Sequence, residues 1–165
     1  MLPGAGEVLL SVKAVGINFR DVLNVLGMYP GDPGAPGSDV AGVVVSSSSN
    51  SSLQPGTAVF GLTVGALGTA VSCSANTVVA MAPCLSFEAA SSMPTVFITA
   101  QMALGAVTAV SSSERVLVHA AAGGVGLAAL QVLQSLGAVA VCTAGSPAKR
   151  SLLRSLGVSA VVGSR

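Results

Sequence analysis

The residues with the clearest chemical implication lie between Glu114 and Gly137, in the run ERVLVHAAAGGVGLAALQVLQSLG. Gly123, Gly124 and Gly126 stand between a short apolar stretch and a helical repeat. Glycines there let backbone N–H groups approach a pyrophosphate, whose charge then sits at the helix N-terminus. The pattern predicts a dinucleotide-binding strand–loop–helix unit, with Ala122, Gly123, Gly124, Val125 and Gly126 as its cofactor-binding backbone. Ala120 stands where the first glycine of the usual fingerprint would be, giving A-x-x-G-x-x-G, so the reading leans on what flanks the loop. Residues 115–120 are apolar and β-branched, as a buried parallel strand is. Val125, Ala129, Val132, Leu133 and Leu136 recur at helical spacing, and Gly137 suits a helix C-cap. A glycine turn of purely structural purpose is the alternative.

A second set follows the next strand. A unit specific for NAD places Asp or Glu there to hold the ribose 2′-hydroxyl. Here the sequence reads Ala144-Gly145-Ser146, and Lys149 and Arg150 fall in the first turn of the helix that begins at Pro147. Two cations at the positive end of a helix dipole are mildly unfavourable by themselves, and a bound 2′-phosphate reverses that. NADP(H) is therefore the preferred cofactor, with Ser146, Lys149 and Arg150 around the phosphate. Solvated surface cations are the alternative here. Metal chemistry finds little support: there is one histidine, His119, and Cys73, Cys84 and Cys142 are widely spaced. His119 reads as a packed strand residue and not as a catalyst.

The elements that must position these groups change character along the chain. Alternation predicts strands over 7–15, 40–45 and 57–62 and further short strands within 65–81, with a helical turn at 22–26 and a solvated serine hairpin tip at 46–52. Ser86 caps a short helix, and Pro94 opens a longer one through 106. The period then becomes α/β: strand 115–120, helix 125–136, strand 139–143, helix 147–156, strand 158–162. A domain boundary near Met93 follows, separating 1–92 from 93–165. With 52% hydrophobic and 8% charged residues in 165, disorder is excluded, and a net charge of +1 leaves no footprint for nucleic acid or anionic lipid. Mean hydropathy is high, but Gly, Ser, Pro or His interrupts every apolar run before it reaches the ~20 residues of a membrane span. The first residues lack a signal-peptide pattern, so a cytoplasmic protein is expected.

Together, GINFRDVL at 16–23, GMYPG at 27–31, VHAAAGGVG at 118–126 and AGSP at 144–147 with Lys149 and Arg150 resemble the medium-chain dehydrogenase/reductase superfamily. The similarity is greatest to its zinc-free branch, the enoyl reductase domain of type I polyketide and fatty acid synthases. That resemblance implies an α/β chain with a β-rich N-terminal part: a GroES-like domain, then an incomplete Rossmann domain whose doubly wound parallel sheet reaches only its third strand of six. Zinc-dependent relatives place Cys where Asn18 stands and His-Glu where Ser38-Asp39 stands, so no metal is implied. It further implies hydride transfer from NADPH to the β-carbon of an enoyl thioester, followed by protonation at the α-carbon. Asn18 would lie near the nicotinamide, with Thr95 and Thr99 lining the cleft. Tyr29 is the candidate proton donor, and Arg165 would reach the 2′-phosphate. The implied partners are an acyl carrier protein bearing the substrate and either a homodimer or a parent megasynthase. A stand-alone quinone oxidoreductase and a non-catalytic truncated remnant are the alternatives the same motifs allow.

Overall fold

The computed structural model describes residues 3–49 and 51–164, and the chain divides into two compact units, Met1–Thr95 and Val96–Arg165. The first is organised by β1 (Glu7–Gly16), β2 (Asp39–Ser47), β3 (Ala58–Leu62), β4 (Ala70–Ser74) and β5 (Val78–Ala80). They form one antiparallel sheet in the order β4-β1-β2-β3-β5. Period-two alternation builds its core: Val8 and Leu10 of β1 and Val71 and Cys73 of β4 point inward, joined by Val40, Val44, Val59 and Val78. Burial pushes the Cys73 thiol up to about 11, helped by the Glu7 carboxylate.

α1 (Phe19–Val25) follows β1, and the short α2 (Phe87–Ser91) is capped by Ser86, whose hydroxyl accepts the Ala89 N–H at 3.1 Å. The serine run departs from the expected hairpin tip. Ser46 and Ser47 belong to β2 and pair with Leu9 and Val8, while Ser48 accepts the Gly6 N–H at 3.1 Å. Two register shifts along β1–β2 carry the pairing this far, so polarity misled where backbone pairing decides. Asn50 of that run lies outside the described residues.

The second unit holds a parallel sheet, β6 (Arg115–Val118), β7 (Val139–Ala144) and β8 (Ala160–Gly163), in that order. α4 (Gly124–Leu136) and α5 (Pro147–Ser155) connect the strands in the βαβ manner. Ala128, Ala129, Val132 and Leu133 of α4 pack with Ala100 and Leu104, while Cys142, Ala144, Leu153 and Val161 form a second cluster with Ala121. Gly137 ends α4 with φ +70, the left-handed C-cap expected of it.

The helix expected over 94–106 is two structures. α3 spans Pro94–Gln101, and Met102–Val107 widen into a π-helical stretch. Gly105 weakens a regular helix there, and the Thr108 hydroxyl donates to the Ala103 carbonyl at 2.7 Å, five residues back, as the widened turn permits. No described helix is long and apolar enough to cross a membrane.

Candidate functional site

In the second unit, β6 ends beneath the glycine loop, and the loop is shaped by one strained residue. Ala120 adopts φ +50, a left-handed conformation that only glycine takes freely. From there the chain turns tightly: Gly123 N–H donates to the Ala120 carbonyl at 2.9 Å, and Ala121 N–H donates to the Thr143 carbonyl at 3.0 Å. The first intrahelical bond of α4 runs from Leu127 N–H to the Gly123 carbonyl at 2.8 Å. The N–H groups of Gly124, Val125 and Gly126 therefore precede the helical ladder, at its positive end. A Cβ on Gly126 would lie 2.6 Å from the Cα, C and O of Ala121, so its absence lets α4 start directly against the loop.

A cleft of about 310 Å³ opens beside this loop. Ala120, Ala122 and Gly123 form one wall, Thr143, Ala144 and Gly145 another, and Lys149 and Ser164 close it. No carboxylate lines it among the described residues, which suits an anion. Ser146 caps α5, its hydroxyl accepting the Lys149 N–H at 3.3 Å. Lys149 reaches the cleft, whereas Arg150 donates through Nη1 to the Ala144 and Gly145 carbonyls at 3.0 and 3.2 Å. Of the expected cationic pair, one member thus lines the cleft and the other braces the end of β7. Arg165 lies outside the described residues.

His119 is a correction. It is exposed and lines the cleft, with Nδ1 3.2 Å from Thr143 Oγ1. The parallel register that pairs Val118 with Cys142 sets His119 beside Thr143, a signal available once the two strands are paired. Gly145 lies in the segment read for the absence of an acid, whereas the sequence alone assigns no role to Thr143 or Ser164, because only tertiary folding brings them to the loop. Beneath them Cys142 is fully buried, and desolvation raises its thiol pKa.

In the first unit a second group of polar residues surrounds the start of α1. Asn18 donates its backbone N–H to Asp21 Oδ2 at 2.9 Å, and Asp21 Oδ1 accepts the Gly37 N–H at 2.8 Å. Asn18 Nδ2 is buried with no partner among the described residues. Asp39, 2% exposed, accepts the Thr95 hydroxyl at 2.6 Å and the Thr95 N–H at 3.2 Å. The Thr95 hydroxyl thus donates to a carboxylate. Thr99 lies one turn further along α3 and is exposed. Tyr29 is half-buried, with the Arg20 guanidinium 5.7 Å from its ring centroid. No group of three His, Cys, Asp or Glu residues that could hold a metal occurs among the described residues.

The alcohol dehydrogenase GroES-like domain model matches residues 4–86, half of the chain. The spectinabilin polyketide synthase system protein NorB of Streptomyces orinoci is 44% identical over 154 residues, covering 93% of this chain and 7% of that protein. The pikromycin polyketide synthase component PikAII of Streptomyces venezuelae is 44% identical over 156 residues, 94% of this chain and 4% of that one. The chain therefore spans a small part of these relatives. Among solved structures, the CurK enoyl reductase superposes with a TM-score of 0.92 at 39% identity, over 100% of this chain and 53% of that one. The quinone oxidoreductase from Thermus thermophilus, solved also in complex with NADPH, gives a TM-score of 0.82 at 35% identity, over 99% and 53%.

Proposed function

Because this chain belongs to the alcohol dehydrogenase GroES-like family, within the medium-chain dehydrogenase/reductase superfamily, we propose that it is part of an NADPH-dependent enoyl reductase of a polyketide synthase. Its substrate would be an enoyl thioester on an acyl carrier protein. The observation that carries the cofactor reading is the cleft beside the glycine loop, walled by Lys149 and by no carboxylate among the described residues.

The residues present fit NADPH. The N–H groups of Gly124, Val125 and Gly126 would receive the pyrophosphate at the start of α4. The Lys149 ammonium would meet the 2′-phosphate, with the Ser146 hydroxyl beside it, while Arg150 keeps β7 in place. Asn18 Nδ2, buried with no partner among the described residues, would suit a carbonyl oxygen such as that of the thioester. Bound NADPH supplies a hydride to the β-carbon of the enoyl group. The Tyr29 phenol would then give its proton to the α-carbon and be reprotonated from water, leaving a saturated thioester.

The test is titration of the 165-residue chain with NADPH and with NADH, followed by cofactor fluorescence, for the wild type and Lys149→Gln. NADPH should be preferred, and Lys149→Gln should weaken NADPH about fivefold, as an exposed charge contact of about 1 kcal/mol gives, while leaving NADH unchanged. Equal binding of the two cofactors, or an unchanged NADPH affinity in Lys149→Gln, would refute the reading. The likeness to the Thermus quinone oxidoreductase supports a second reading, reduction of a quinone. Side-by-side assays with an enoyl thioester and a quinone separate the two.

A further inference from the structure

α1 is inverted relative to an ordinary surface helix. Phe19, Val22 and Val25 are exposed, and the residue it buries is Asp21, 3% exposed. What the helix contributes in place of apolar burial is a row of hydrogen bonds to the loop over 29–37. Arg20 donates from Nη2 to the Pro33 carbonyl, Asn24 donates from Nδ2 to the Gly34 carbonyl at 2.9 Å, and Asp21 accepts the Gly37 N–H at 2.8 Å. The loop cannot hold itself by regular pairing, because Pro30, Pro33 and Pro36 lack backbone donors. Three side chains of one short helix therefore fix it at three points.

Tyr29 lies at the free end of this loop, before the first tether. Its hydroxyl has no hydrogen-bond partner among the described residues. The contact that orients its ring is the Arg20 guanidinium, 5.7 Å from the centroid. We propose that Arg20 is the positioning residue of Tyr29: held at one N–H by the Pro33 carbonyl, the guanidinium covers the phenol ring and sets the direction of its hydroxyl. The planar guanidinium can bond through its edge and cover a ring with its face at once, which an ammonium cannot. The positioning stands on the loop geometry alone. Only its catalytic consequence, that a proton reaches the α-carbon from one side, rests on Tyr29 being the donor.

The chain has one tyrosine and no tryptophan, so its intrinsic emission reports this ring alone. The experiment is acrylamide quenching of that emission in the full chain, for the wild type, Arg20→Ala, Arg20→Lys and Asn24→Ala, with circular dichroism to verify the fold. Arg20 is exposed, so its replacement leaves the core intact. Arg20→Ala should raise the quenching constant by up to about two- to fivefold, the ratio an exposed cation–π contact corresponds to. Arg20→Lys should recover part of the protection. Asn24→Ala cuts a tether of the same loop without uncovering the ring, and should quench as the wild type does. Wild-type quenching in Arg20→Ala would overturn the proposal, as would an equal rise in Asn24→Ala, which would make Arg20 a loop tether only. In an enzymatically active form, an unchanged product in Tyr29→Phe beside an uncovered ring in Arg20→Ala would remove the proton-donor reading and leave the positioning standing.

Discussion

Gly124 and Gly126 belong to one motif, two residues apart on one helix, yet adding a methyl group to each has opposite expected consequences. At Gly126 the new Cβ would lie 2.6 Å from three backbone atoms of Ala121, about 0.8 Å inside the 3.4 Å at which ordinary contact begins. Backbone atoms cannot rotate away, and Ala121 is itself fully buried and bonded to Thr143. The helix start or the loop must shift as a body, which in a packed interior costs about 1–3 kcal/mol. At Gly124 the nearest atom is Val96 Cγ1 at 3.2 Å, a methyl group that can move. Alanine also favours the helix over glycine by about 1 kcal/mol, fully inside the helix and less at its first residue.

Gly126→Ala should therefore be destabilised by up to about 2 kcal/mol once the propensity gain is set against the clash, and Gly124→Ala, which has the gain without the clash, should be unchanged or slightly stabilised. For a unit of this size, about 4–8 °C of Tm corresponds to each kcal/mol. Thermal melts followed by helical circular dichroism, to which α4 and α5 contribute 13 and 9 residues, should place Gly126→Ala about 10 °C below Gly124→Ala. Cofactor binding is the wrong readout, since both N–H groups belong to the proposed pyrophosphate site. If the two variants melt together, the close approach of Gly126 to Ala121 is not what builds the loop.

Four further outcomes follow from the same geometry. Asp21→Asn turns an amide toward one of two backbone N–H donors, Asn18 or Gly37, and should lower stability in urea by about 2–3 kcal/mol; an unchanged midpoint would refute the buried carboxylate's role. Cys84 is the exposed thiol and should be the one that a disulfide reagent modifies at pH 8, while Cys73 and Cys142 react after unfolding. Because burial lifts Cys73 from 9.0 to about 11 in the folded state, its contribution is complete below pH 9 and is lost as pH rises toward 11. Cys73→Ser, whose hydroxyl does not titrate, should remove that decline from a pH series of urea midpoints. Asn18→Ser shortens away Nδ2, which has no partner among the described residues, and should leave the chain as stable or more so, by up to about 1 kcal/mol in urea midpoints; a loss of stability would mean the amide is satisfied in the free protein.

What the sequence disclosed and what it withheld divide along the range of the interactions concerned. The glycine loop, α4 with its Gly137 cap, and the Ser146 and Ser86 caps are written in residues within a few positions of each other, where period, capping and turn chemistry act. The π stretch at Met102–Val107 is also local, but it depends on a Thr108 hydroxyl bond that hydrophobic period does not register. Arg150 was legible as a cation near a phosphate site, and only the fold shows its guanidinium bound to the carbonyls that end β7.

The acids were hardest to read. Asp39 and Thr95 are 56 residues apart, and Asp21 and Gly37 are 16 apart; nothing in composition or spacing joins them. Each is a buried carboxylate whose oxygens accept N–H or O–H donors, which replaces the hydrogen bonds lost with water. In the folded chain Asp21 bonds the N–H groups of Asn18 and Gly37, and Asp39 bonds Thr95. They are anchors, and what they anchor is the part of the first unit where the Asn18 amide and the Tyr29 hydroxyl have no hydrogen-bond partner among the described residues. A site whose charged residues are occupied in holding the backbone, and whose neutral polar groups remain available, is the kind that the proposed reduction of an enoyl thioester would ask for.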